Sequence, residues 1–77
     1  MLLHEHLRRL RERAGLTVAQ VVSATGFPKS TVHFWETPRG RPSRDEIRRL
    51  LDLYAATPDE RLEVWEAPMG VATPEAA

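Results

Sequence analysis

Four polar side chains and one aromatic fall within six residues of this chain: Lys29, Ser30, Thr31, His33 and Phe34, in KSTVHF. Just beyond them Arg39 and Arg41 flank a glycine inside the stretch TPRGRPS. Ammonium and hydroxyl groups donate to acceptor-rich edges, guanidinium groups grip anions, and a phenyl ring offers a flat apolar face. This is the chemistry of recognition. Bond-making chemistry has little to stand on. There is no Gly-rich phosphate loop, no nucleophile paired with a base, and little room for a pocket. The chain holds no cysteine, which removes thiol nucleophiles, disulfides and thiolate metal sites together. An enzyme is therefore the poorest functional class. His4 and His6 flank Glu5, yet helical positions two apart point about 200° from one another. No later His-rich or acidic cluster completes a site, so neither a metal nor a cofactor is expected.

The elements that must position these residues can be read from spacing and end signals. Thr17 with Gln20 makes a capping box that opens a helix, and Gly26 just past its end can take the left-handed conformation that reverses the chain. Pro28 disfavours helix at Phe27, so the next helix starts at or after the proline and runs to Glu36. Val21 and Val22 fall on one side of the first of these helices, Val32 and Trp35 on one side of the second, and Phe27 plugs the corner between them. Two short helices joined by a tight turn form a helix-turn-helix. An α-helix fits the major groove of B-DNA, and its exposed N-terminal half can reach base edges. On this reading Lys29, Ser30, Thr31, His33 and Phe34 contact bases. Thr17, Arg39, Arg41 and Arg44 contact phosphates and fix the register.

Three further helices are expected. One spans Leu3 to Ala14, with Leu3, Leu7, Leu10 and Ala14 on one face and Gly15 as its stop. A second starts at the Ser43–Glu46 capping box, turns Ile47, Leu50, Leu51 and Tyr54 inward and ends before Pro58. The third starts at Thr57, Pro58 and Glu60 and carries Leu62, Val64 and Trp65, candidates for a dimer contact because this short helix has more apolar surface than one core needs. From Glu66 onward no amphipathic face builds, so residues 1–65 read as the domain and residues 66–77 as a flexible tail or the start of a linker.

The run GLTVAQVVSATGFPKSTVHFWE resembles the Cro and lambda-repressor type of DNA-binding domain, the XRE family, and its flanks resemble the family's actinobacterial members. The resemblance covers roughly Leu2 to Trp65. It implies an all-α, compact five-helix domain that acts as a sequence-specific transcriptional regulator, a repressor, on a palindromic or repeated site as a homodimer. It places base readers at Lys29, Ser30 and Phe34. It also implies a largely buried ion pair between Arg11 and Glu36, of the kind whose disruption costs about 3 to 5 kcal/mol. Three positions depart from the family pattern: Val18 stands where a glutamine is usual, Val22 where a small residue is, and Pro28 where a Ser or Thr caps the recognition helix. These changes leave the surface greasier. They support a rival reading, a degenerate helix-turn-helix that binds a protein partner through Val18, His33 and Phe34 instead of DNA.

Net charge decides less than its distribution. The 77 residues sum to zero, but residues 1–50 hold ten Lys or Arg against five Asp or Glu, a balance of +5. Residues 51–77 hold one Arg against six acids, a balance of −5. A basic body with an acidic end can hold double-stranded DNA on one face and keep the other clear. A chain of this length buries only about 60% of its extended surface, so a single domain of modest stability is expected. With no apolar run near the roughly 18 residues of a membrane span and no signal-peptide pattern, a cytoplasmic location is expected.

Overall fold

The computed structural model describes residues 1–68 and places them in five helices: α1 Leu3–Arg13, α2 Val18–Thr25, α3 Lys29–Trp35, α4 Arg44–Leu53 and α5 Pro58–Glu66. The fold is all-α. Leu3, Leu7 and Leu10 line one face of α1 and are buried, whereas Ala14 lies past the last helical turn and is exposed, one residue short of the expected helix. His6 joins the buried face, at 8% exposure. Val21, Val32, Trp35, Ile47, Leu50, Leu51 and Tyr54 complete most of a single core.

The ends of the helices follow from their side chains. Thr17 Oγ1 accepts from the Gln20 N–H at 3.1 Å and Gln20 Oε1 accepts from the Thr17 N–H at 2.8 Å. The same reciprocal pair recurs at Ser43–Glu46 and Thr57–Glu60, so three of the five helices start on boxes visible in the sequence. Gly26 closes α2 at φ 81°, with its N–H donating to the Val22 carbonyl at 2.8 Å. Ala55 does the comparable work after α4 at φ 53°, a conformation that costs an alanine about 1 kcal/mol or more relative to glycine. Pro28 precedes α3 and supplies no side-chain cap.

α5 corrects one assignment. Val64 is only 3% exposed and belongs to the core, so it offers nothing to a dimer contact; Leu62 at 56% and Trp65 at 41% remain on the surface. The spacing explains this: Val64 stands about 200° round the helix from Leu62 and about 100° from Trp65, while those two are only about 60° apart. The helix also reaches Glu66, one residue past the expected boundary. Ala67 packs against the core, and the Pro68 carbonyl accepts from the Leu3 N–H at 2.9 Å, one of the orphan donors at the start of α1. Of the expected tail, residues 69–77 lie outside the described residues.

Candidate nucleic-acid interface

α3 is two turns long and is held from within by Val32 and Trp35, both buried. With those two facing inward, Lys29, Ser30, His33 and Phe34 must face outward, and all four are exposed; Thr31 is half-buried. Phe34 is 47% exposed, an apolar ring on an otherwise polar face. Val18 and Val22 are partly buried and pack against the core, so each offers less apolar surface than the sequence suggests.

The far end of α3 is tied to α1. Arg11 Nε meets Glu36 Oε2 at 2.7 Å and its Nη2 donates to Glu36 Oε1 at 3.0 Å, a bidentate pair whose side chains are 13% and 10% exposed. The third donor of the fork, Nη1, reaches the Leu16 carbonyl at 2.8 Å. The hydrogen bonds to Glu36 push the Arg11 pKa above its already high ordinary value, so the charge is fixed at every accessible pH. The Tyr54 hydroxyl is raised as well, chiefly by burial and then by the Glu36 carboxylate.

Beyond Glu36 the chain folds back on the helix it has just left. Thr37 Oγ1 donates to the Phe34 carbonyl at 2.6 Å and accepts from the Arg39 N–H at 3.3 Å, while the Gly40 N–H donates to the Thr37 carbonyl at 3.0 Å. Gly40 is buried against α3 so closely that a Cβ there would stand 2.5 Å from the Trp35 Cα and 2.6 Å from the Phe34 carbonyl oxygen. Arg39 is exposed. Arg41 turns back, with Nη1 donating to the carbonyls of Pro38 at 3.2 Å and Gly40 at 3.0 Å. Arg44 lies over the Trp65 ring, 5.3 Å from its centroid, which commits it to α5. The Thr17 hydroxyl accepts the capping bond described above and is otherwise at the surface.

The charge asymmetry of the sequence is partly cancelled in space. Arg13 pairs with Glu60 at 2.8 Å and Arg9 approaches Glu63 at 3.8 Å, both across the two parts, whereas the Arg61–Asp52 pair at 2.9 Å lies within the acidic one. Two acids of α5, Glu60 and Glu63, thus face arginines of α1. Glu60 is held below the ordinary carboxylate pKa, first by the Thr57 backbone N–H and then by Arg13. Sequence reasoning missed the close packing of Gly40 on the end of α3, the burial of His6, and Arg49, whose partners Thr25 and Phe27 lie more than 20 residues before it. Among the described residues, no group of three His, Cys, Asp or Glu side chains is disposed to hold a metal.

A family profile described as a helix-turn-helix domain matches residues 3–64, the greater part of the chain. No curated protein matches it, and no solved structure does.

Proposed function

The chain belongs to the helix-turn-helix domain family, and on that footing we propose that it is a sequence-specific DNA-binding transcriptional regulator, a repressor, that reads the major groove with α3. The observation that carries this reading is the division of α3 into a buried side, Val32 and Trp35, and an exposed side bearing Lys29, Ser30, His33 and Phe34. Lys29 donates to guanine O6 and N7, Ser30 to whichever acceptor it meets, and Phe34 packs on a thymine methyl. Thr31 and His33 serve neighbouring bases or the backbone. Arg39, Arg41 and the Thr17 hydroxyl engage phosphates, and Arg44, which lies over the Trp65 ring, is the weakest candidate of the four. A domain seated in the groove blocks competing proteins, which is the simplest route to repression, and such a regulator works in the cytoplasm.

Two substitutions test the assignment on a selected duplex. Lys29→Ala should weaken binding by about 1 to 3 kcal/mol and relax preference at one base pair. Arg39→Ala should weaken all sequences alike and reduce the slope of log K against log salt by about one. Equal behaviour of both variants and the wild type contradicts the reading.

Exposed Phe34 favours one alternative, a module that has given up DNA and holds a protein partner. The partial packing of Val18 against the core weakens it, because less apolar surface is left to join Phe34. We further propose a homodimer through Leu62 and Trp65, since two-fold pairing doubles the half-site contacts about one helical turn apart. Light scattering should give a dimer for the wild type and a monomer for Trp65→Ala; a wild-type monomer at high micromolar concentration rules the dimer out.

A further inference from the structure

Arg49 is rooted in α4, yet its guanidinium reaches the corner of the helix-turn-helix. It lies 4.6 Å from the centroid of the Phe27 ring. Its Nη2 donates at 3.1 Å to the carbonyl of Thr25, the last residue of α2. Phe27 in turn meets Trp35 edge-on, with centroids 5.0 Å apart and planes at 79°. Trp35 ends α3, and its backbone is the surface on which Gly40 rests. An unbroken series of contacts therefore runs from α4, through the turn, to the end of α3 and the loop that carries Arg39.

This series matters because α3 cannot hold itself. It has seven residues and no side-chain cap, well short of the roughly 12 to 15 residues at which an isolated helix becomes even marginal. Its pose depends on what packs against it. A guanidinium can stack on a ring while its in-plane N–H groups reach a carbonyl, which an ammonium cannot do in one position. The charge also sits at the negative end of the α2 dipole.

We propose that Arg49 is a positioning residue that fixes the pose of α3 for DNA, acting through Phe27 and the Thr25 carbonyl and not through contact with DNA. The proposal rests on the DNA-binding reading above. Without the latch α3 samples several poses, and the apparent Kd rises by the inverse of the competent fraction.

The test compares wild type, Arg49→Lys and Arg49→Met by fluorescence anisotropy on one selected duplex between about 50 and 200 mM salt. Emission from Trp35 is followed in the DNA-free proteins, in a Trp65→Phe background. Both variants should bind about three- to thirtyfold more weakly with an unchanged salt slope, and Trp35 emission should shift in both. If Arg49→Lys binds like wild type while Arg49→Met lowers the slope by about one, Arg49 is a phosphate contact and the proposal fails. It fails equally if both variants bind like wild type or leave Trp35 emission unmoved. A wild type that binds no duplex at the lower salt overturns the DNA-binding reading itself, and the proposal with it.

Discussion

His6 carries a consequence that its neighbours do not. It is buried on the face of α1 that packs into the core, and its Nδ1 has no hydrogen-bond partner. Burial, and then the Arg9 charge, hold its pKa below the ordinary 6.5, with Glu63 opposing more weakly. The folded state therefore resists a proton that the unfolded chain accepts. Stability from this group is complete above pH 6.5 and is lost as pH falls through that value toward the lower folded pKa. The thermal midpoint should decline as pH falls below 6.5, ahead of the further loss that the depressed Glu60 brings below its ordinary 4.5. His6→Leu should flatten the first decline and leave the second. A midpoint that falls just as far in His6→Leu assigns the effect elsewhere. At this scale the chain's composition was informative where chemistry is local and silent where it is not. His6 reads as polar, and only the packing of α1 against the rest of the fold buries it.

At the scale of elements, local signals located the helices and long-range contacts set their surroundings. Capping boxes at Thr17, Ser43 and Thr57, the turn glycine at Gly26 and the proline before α3 are short-range devices, so their positions were legible in the residues themselves. Leu62, Val64 and Trp65 were not separable, because a short helix with weak amphipathicity does not announce which side is buried. Val64 entered the core once α5 docked. The outward set on α3 followed from the spacing of Val32 and Trp35, whereas the role of Gly40 did not, since its tight contact is with backbone that precedes it by several residues. That contact yields a prediction. A methyl at Gly40 meets the Trp35 Cα at 2.5 Å, and backbone cannot rotate away as a side chain would. Gly40→Ala should therefore destabilise the protein by about 1 to 3 kcal/mol, read from urea unfolding. An unchanged midpoint shows instead that the loop swings clear at no cost.

At the scale of the molecule, the five helices divide the labour. Arg13 ties α1 to α5 through Glu60, and the Leu3 N–H ties the start of α1 to the Pro68 carbonyl just after α5. Arg11 and Glu36 tie α1 to the end of α3. Because α5 answers the arginines of α1, the uneven charge of the two ends of the sequence does not survive intact as a basic body and an acidic end. Lys29 and Arg39 stand exposed beside a face of α3 whose polar groups and single ring suit base edges. The account stands on that face meeting DNA. Its most direct test is fluorescence anisotropy of labelled random-sequence duplex at about 50 and 200 mM salt, followed by selection of the bound sequences. The account predicts affinity that falls about tenfold or more over that range, with a palindromic sequence enriched among the survivors. No binding at the lower salt, by protein shown to be intact and helical, would contradict it.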